Sequence, residues 1–192
     1  MRAPHTSNDR DRVGLVVALL ALTAVLAATA AGCGGSKSAE EKWADSVCTN
    51  LGNWKSQVKQ STDDIAAKLR SPQQGTLAAM KADVQKLVDA TQELAQNLNA
   101  LGAPKTDSGA QAKQQLATLA SNLQTTTDKA KQTLATVPES AGLTETAQKL
   151  APLAPDLQSL AAESKSTVQS IEASSSDLKK GFEQADSCKQ FR

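Results

Sequence analysis

The chain has 192 residues, 40% hydrophobic and 21% charged, with a formal net charge of +1 and only two Trp, two Phe and one His. So few aromatic rings and so small a charge exclude a surface that stacks bases and attracts phosphates, and no nucleic-acid partner is expected. His5 lies in a segment that we expect to be removed, which excludes His-dependent catalytic triads and His-ligated metal sites in the mature protein.

The first 32 residues have the pattern of a secretory signal segment. Residues 1–12 carry three Arg, residues 13–31 carry no charge, and small residues precede Cys33. The uncharged run is also just long enough for a transmembrane helix. Its second half of mostly Ala and Thr, and the Cys that follows, favour the signal. An uncleaved membrane anchor is the alternative, and both place the rest of the chain outside the cytoplasm.

The sequence AAGC that ends at Cys33 resembles the lipobox of a bacterial lipoprotein precursor. Ala30 stands where such sequences most often have Leu. The resemblance implies that residues 1–32 are cleaved off and that a diacylglycerol is attached covalently to the Cys33 sulfur. It therefore implies a protein anchored by lipid in the cell membrane, on its extracytoplasmic face, with no other cofactor.

The mature protein would consist of a tether, residues 33–38, and a helical domain, residues 39–192. The tether reaches about 17 Å when extended, so we expect the domain to lie close to the membrane. The removed segment contains three Arg and two Asp, which leaves the mature protein formally neutral. That balance argues against electrostatic binding to nucleic acid or to anionic surfaces.

Apolar residues spaced by three and four positions predict five helices, A to E, in a composition rich in Ala, Leu, Gln and Lys. Helix A begins at a capping box formed by Ser38 and Glu41 and ends before Pro72. The apolar positions of helices A to C span residues 47–69, 77–101 and 112–134, helix D runs over about 143–173, and helix E over about 178–189.

Helix D contains two prolines, Pro152 and Pro155, which must kink or divide it. The leucine spacing continues through both prolines, so we expect one bent helix rather than two unrelated ones. Residues 174–177 (SSSD) form a break and an N-cap before helix E.

The predicted fold is all-α. Four long helices of similar length, joined by short connections, favour an antiparallel up-down-up-down bundle. Cys48 on helix A and Cys188 on helix E would then lie about 14 and about 15 Å above the same end of the bundle. A disulfide between them would hold the short C-terminal helix against the first helix.

Cys48 and Cys188 are the two cysteines left after lipidation of Cys33, and a pair of thiols in an exported domain predicts a disulfide. On the chain-entropy model, closing a loop of this length contributes about 5 kcal/mol as an upper figure. A redox-active pair is the weaker alternative, because the mature chain has no C-x-x-C motif and no His to lower a thiol pKa.

The four aromatic residues lie close to these cysteines in sequence. Trp43 and Trp54 flank the first cysteine, and Phe182 and Phe191 flank the second. We expect the rings to gather around the disulfide and to cap one end of the core. The alternative is an aromatic binding patch.

Polar residues interrupt each apolar stripe, at Thr62, Thr91, Thr126 and Ser164. Counted from the helix ends, Thr62 and Thr91 differ in height, so the hydroxyls are expected to bond to their own helix backbones rather than form a shared ligand site. No Asp-rich loop, glycine-rich phosphate loop or nucleophile motif is present. We therefore expect neither a metal site nor an enzyme.

The sequences WADSVCTNLGNW (43–54) and FEQADSC (182–188) resemble a group of small actinobacterial lipoproteins. The resemblance implies the lipid acceptor and the cysteine pair, but no activity. Our first expectation is a non-enzymatic interaction or structural module that contacts an envelope protein partner. The alternative is a carrier or sensor of a lipid or other apolar ligand, which a cavity above about 300 Å³, lined by Leu and the aromatic residues, would favour.

Overall fold

The computed structural model describes residues 36–138 and 140–192. The predicted signal segment and Cys33 lie outside these residues. The described part of the chain contains helices and no strand, which confirms the all-α prediction. Lys37–Arg192 forms one compact unit.

This unit contains six α-helices and a C-terminal 3₁₀ helix. They are α1 (Ala39–Arg70), α2 (Thr76–Ala100), α3 (Gly109–Ala135), α4 (Leu143–Leu150), α5 (Leu153–Glu172), α6 (Ser176–Gln184) and the 3₁₀ helix (Asp186–Phe191). No helix in the described ranges is both long enough and apolar enough to span a bilayer.

The ends of α1 follow the predicted signals. The Ser38 hydroxyl accepts a hydrogen bond of 3.0 Å from the Glu41 backbone N–H, as the capping box predicts. The helix ends at Arg70, two residues before Pro72, which disfavours helical geometry in the residue that precedes it. Gly75 then begins α2 with φ of 84°, a conformation that costs little only without a Cβ.

The predicted helix D is two helices, α4 and α5. Pro152 has no N–H to bond a carbonyl one turn earlier, so the hydrogen-bond ladder is interrupted after Leu150. The backbone angles of Ala151 and Pro152 remain near helical values. Pro155 does not interrupt the helix, because it lies in the first turn of α5, where backbone N–H groups have no partner in the helix.

The predicted helix E is also divided. Its N-cap is Ser175, whose hydroxyl accepts from the Leu178 N–H at 3.2 Å. The α-helix ends at Gln184, Ala185 is extended, and Cys188 lies in the 3₁₀ helix that follows. The extended residue redirects the chain so that Cys188 approaches α1.

Helices that are neighbours in sequence pack on each other: α1 on α2, α2 on α3, and α5 on α6. In addition, α3 packs on α5, and α1 packs on α6 and the 3₁₀ helix. The core divides into two clusters of buried apolar side chains. The larger, which surrounds the disulfide and which we call the bridged end, includes Val47, Leu51, Leu98, Leu116, Leu123 and Ile171. The smaller cluster contains Val84, Val88, Ala130 and Leu153.

Candidate functional site

The bridged end is closed by the disulfide between Cys48 and Cys188, whose Cα atoms are 5.0 Å apart. This confirms the predicted pairing, and the separation is within the range that a disulfide requires. Both cysteines are buried. The disulfide therefore cross-links α1 to the 3₁₀ helix at the end of the chain.

All four aromatic residues pack in the cluster at the bridged end. Trp54, Phe182 and Phe191 are at most 3% exposed. Trp43 is half-buried, with its ring edge-on to Phe182 at 6.0 Å between centroids. Its Nε1–H donates to the Gly102 carbonyl at 2.8 Å. The rings therefore fill the core, and they do not form an exposed patch.

A polar contact also holds the 3₁₀ helix on α1. The Asp45 carboxylate accepts from the Ser187 hydroxyl at 2.6 Å and from the Lys37 ammonium at 3.1 Å. These hydrogen bonds lower the pKa of Asp45 below its ordinary value. Gly181 lies against the Glu40 backbone so closely that a Cβ would come within 2.9 Å of its carbonyl oxygen. Segments from the start and the end of the unit therefore pack closely against each other at the bridged end.

A cavity of about 300 Å³ lies beside the smaller cluster, and it is partly open to solvent. Its wall consists of aliphatic side chains and a few threonines from five helices. The lining residues are Thr62, Ile65, Ala66 and Leu69 of α1, Met80, Val84, Leu87, Val88 and Thr91 of α2, Thr126, Thr127 and Ala130 of α3, Ala147 and Leu150 of α4, Ala151, and Leu153, Ala154 and Leu157 of α5.

The cavity exists because small side chains face it from several sides. Ala66, Ala130, Ala147 and Ala154 all line it. Their short side chains fill little of the space between the helices. At the bridged end, α6 and the 3₁₀ helix pack against α1, and the buried side chains form one large cluster.

Three of the four predicted stripe hydroxyls line this one cavity: Thr62, Thr91 and Thr126. The predicted backbone bonding is confirmed for Thr62, which donates to the Val58 carbonyl, and for Thr91, which donates to the Leu87 carbonyl. Ser164 donates to its own helix in the same way but does not line the cavity. Thr126 lines the cavity, but its hydroxyl forms no hydrogen bond within the described residues, so the predicted backbone bond is absent there.

The expected difference in height also holds. Thr91 is level with Trp54, since the Trp54 Nε1–H donates to the Thr91 hydroxyl at 3.0 Å, whereas Thr62 lies two turns further along α1. Sequence reasoning therefore predicted the bonding of three of the four hydroxyls correctly but missed that one long cavity reaches both levels. No sequence signal marks the cavity, because it depends on the distance between helices.

A buried carboxylate lies next to the cavity wall. Asp83, which precedes Val84 in sequence, is 3% exposed. It forms ion pairs with Lys68 of α1 and, at 3.2 Å, with Lys86 of α2. Burial by itself would raise the pKa of Asp83, but the hydrogen bonds and charges of the two lysines hold it below its ordinary value. Sequence reasoning missed this residue, since an Asp beside an apolar stripe is usually solvated.

The arrangement offers a mostly apolar surface on which the hydroxyls of Thr62, Thr91 and Thr127 donate to carbonyls of their own helices, and it is suited to binding hydrocarbon. Within residues 36–138 and 140–192, no group of three His, Cys, Asp or Glu side chains is placed to hold a metal ion. The chain matches no family model, no curated protein and no solved structure.

Proposed function

We propose that the protein is a lipid-anchored carrier or sensor of an apolar ligand, and that the ligand occupies the cavity between α1, α2, α3 and the α4–α5 segment. The single observation that supports this is the cavity itself, of about 300 Å³, a volume at the lower end of the range for small-molecule sites. The volume is at, and not above, the value of about 300 Å³ expected of this function. The wall contains the expected leucines, but the aromatic residues, which were also expected there, lie at the bridged end.

The chemistry of the wall supports an apolar ligand over a polar one. Polar ligands need a few convergent donors or acceptors in the pocket. Here the hydroxyl protons of Thr62, Thr91 and Thr127 are donated to carbonyls of their own helices. A hydrocarbon gains about 25 cal/mol for each Å² that it removes from water, and it needs no such donors.

An empty apolar space of this size also argues against the first expectation, a module whose core is filled. Contact with an envelope protein partner stays a prediction. This partner would deliver the ligand or receive it. Anchoring through a diacylglycerol on Cys33 stays part of the proposal and rests on the AAGC sequence. Replacing Cys33 with Ala is expected to change the mass and gel mobility of the expressed protein; unchanged values would contradict the anchor.

The finer arrangement of the helices belongs to the same proposal. We propose that α1, α2, α3 and the α4–α5 segment run up, down, up and down as an antiparallel bundle. The short connections of residues 71–75 and 101–108 support it, since short links join antiparallel neighbours. The packing of α1 on α2, α2 on α3 and α3 on α5 is in the order that this topology requires.

Photo-crosslinking of the full-length mature protein in phosphatidylcholine vesicles tests ligand binding. An alkyl diazirine is expected to label cavity-lining residues when activated by light. Ala66→Phe should abolish this labelling because the new ring occupies the cavity. Ala67→Phe is the matched control, because Ala67 is the next residue on α1 and is exposed.

Labelling that is equal in the two variants, or that is spread over exposed residues, would overturn the proposed function. The melting temperature of each variant, measured in the same vesicles, shows whether it is folded. A folded Ala66→Phe protein that is labelled like the wild type would be sufficient to reject the cavity as the site.

A further inference from the structure

We infer that the cavity takes one linear alkyl chain of roughly twelve carbons, with its methyl end beside Thr91 and its polar end at the opening beside Leu69. This inference rests on the proposed function and names the class of ligand. It depends on three properties of the cavity: its length, its width and the difference between its two ends.

The length follows from the residues of α2 that line the cavity. They extend from Met80 to Thr91, eleven residues apart and therefore about 16 Å along the helix axis. On α1 the lining extends from Thr62 to Leu69. The cavity therefore runs along the helices, rather than across them.

The width follows from the volume. A volume of about 300 Å³ spread over about 16 Å describes a space that is longer than it is wide. A single file of methylene groups suits such a shape, because non-bonded carbon atoms approach to about 3.5–4.0 Å. An α-helix of a partner, about 10–12 Å across with its side chains, is too large for this volume.

The capacity can be compared with a known case. A cavity of about 150 Å³ in another protein accepts benzene, which has six carbons. On that scale about 300 Å³ accommodates about twelve carbons. A longer chain would leave its remaining methylene groups outside the opening, whereas a rigid fused ring system that exceeds this capacity would not fit.

The two ends of the cavity differ in exposure. At the inner end Thr91 is buried, and its hydroxyl both accepts from Trp54 and donates to the Leu87 carbonyl. At the other end Leu69 is 41% exposed and is the exposed large hydrophobic residue of the described chain. A polar head group would therefore be better hydrated at the Leu69 end than beside Thr91.

The charged residues that flank Leu69 do not distinguish a fatty acid from a phospholipid. Arg70 is exposed, and its cation suits a carboxylate and a phosphate alike. Lys68 is engaged with the buried carboxylate of Asp83, which also pairs with Lys86. Selection then depends on the chain, which a free fatty acid and a phospholipid share. A labelled phospholipid and a labelled fatty acid distinguish these two sources by experiment.

Two dodecanoic acid probes test the orientation, one with a diazirine at the terminal carbon and one with it near the carboxylate. Both are activated in vesicles that contain the full-length mature protein, and cross-linked residues are mapped by mass spectrometry. The terminal diazirine is expected to label the region of Leu87 and Thr91, and the other probe the region of Leu69 and Met80. A sterol diazirine is expected to leave the cavity unlabelled.

The outcomes separate this inference from the proposed function. If no apolar probe labels the cavity, both fail. If the sterol labels it as strongly as the dodecanoic acids, or if the two dodecanoic acids label the same residues, the proposed function survives and the inference is wrong. If the dodecanoic acid probes label the cavity of the Ala67→Phe protein but not that of the Ala66→Phe protein, the assigned site is supported.

A phospholipid that carries the terminal diazirine on one acyl chain identifies the source. Cavity labelling by this phospholipid supports the inference with a bilayer lipid as the source, and labelling by the free acid alone supports it with a fatty acid. If Cys33→Ala strongly increases the labelling, the chain on Cys33 itself is the occupant, and the inference of an exchangeable ligand is overturned.

Discussion

The bridged end and the cavity end of the same helices are packed in opposite ways. At the bridged end, four aromatic residues and a disulfide lie among leucines that are almost completely buried. At the cavity end, alanines face a space of about 300 Å³, and the smaller cluster beside it has only four buried members. The difference shows that helix periodicity determines which faces are buried, while side-chain volume determines whether the space between those faces is filled.

The comparison extends to the ion pairs. At the bridged end, Asp45 joins the start of the unit to Ser187 near its end, so a polar contact adds to a region that is already cross-linked. At the cavity end, Asp83 joins α1 to α2 through Lys68. With fewer apolar contacts there, we expect this ion pair to carry a larger share of the local stability.

Removal of the disulfide is the largest change that we predict. Replacing Cys48 and Cys188 together with Ala should lower the free energy of unfolding by up to about 5 kcal/mol, because the unfolded chain regains the freedom of a long loop. Urea unfolding followed by circular dichroism measures the loss. Wild-type protein with a reductant serves as an independent check, and a loss below about 1 kcal/mol in both would contradict a tightly packed bridged end.

Two leucines of α2 give a matched comparison of the two ends. Leu98→Ala at the bridged end should cost about 3–5 kcal/mol, because its neighbours are close-packed and leave a new cavity. Leu87→Ala, which enlarges the existing cavity, should cost only about 2 kcal/mol, since the side chain already lacks neighbours on one face. Urea unfolding of both variants measures the difference, and equal losses would show that the two ends are packed alike.

Local signals predicted most of the fold. The Ser38 capping box placed the start of α1, and the apolar spacing placed α2 and α3, because these features act within one or two turns of a helix. The disulfide was predicted from the two cysteines left after lipidation, and their heights along the helices agreed with it. The prediction of a single bent helix D was wrong. The leucine spacing continues through Pro152, and it carries no information about the hydrogen bond that is lost because Pro152 has no N–H. The extended Ala185 was missed for a similar reason, because no strong breaker marks it.

The candidate site was much less accessible to sequence reasoning. The hydrogen bonds of Thr62 and Thr91 to their own helices could be predicted, because they are local. The cavity could not, because it depends on the distances between residues of different helices, such as Ala66 and Ala130. Asp83 was missed because its partner Lys68 is on another helix, so no helical spacing relates the two.

The third prediction concerns this ion pair and its pH dependence. Asp83→Asn should lower the free energy of unfolding by about 2 kcal/mol at neutral pH, as expected for hydrogen bonds to a charged group. Because the folded pKa of Asp83 is lowered, its stabilisation is complete above the unfolded value of about 3.9 and is lost as the pH falls through the folded pKa.

Urea unfolding of Asp83→Asn and wild type between about pH 7 and pH 3 tests this sign. The difference between them should stay constant down to about pH 4 and then shrink. Asp63→Asn is the control, because Asp63 forms an ion pair on the exposed surface of α1, where such pairs contribute little. A difference that grows as the pH falls would contradict the lowered pKa.

The smallest effect that we predict has opposite signs at the two ends. Ala66→Leu adds methyl groups to a space that is empty, so it should raise the free energy of unfolding by about 1 kcal/mol. Ala95→Leu adds the same groups to the filled cluster of the bridged end, where overpacking should lower it by about 1–3 kcal/mol. Ala67→Leu, on the exposed face of α1, should change it by less than about 0.5 kcal/mol.

Thermal and urea unfolding of the three variants decide the comparison. If Ala66→Leu destabilised the protein as much as Ala95→Leu, the space around Ala66 would be filled in solution, and both the cavity and the ligand site that depends on it would have to be abandoned.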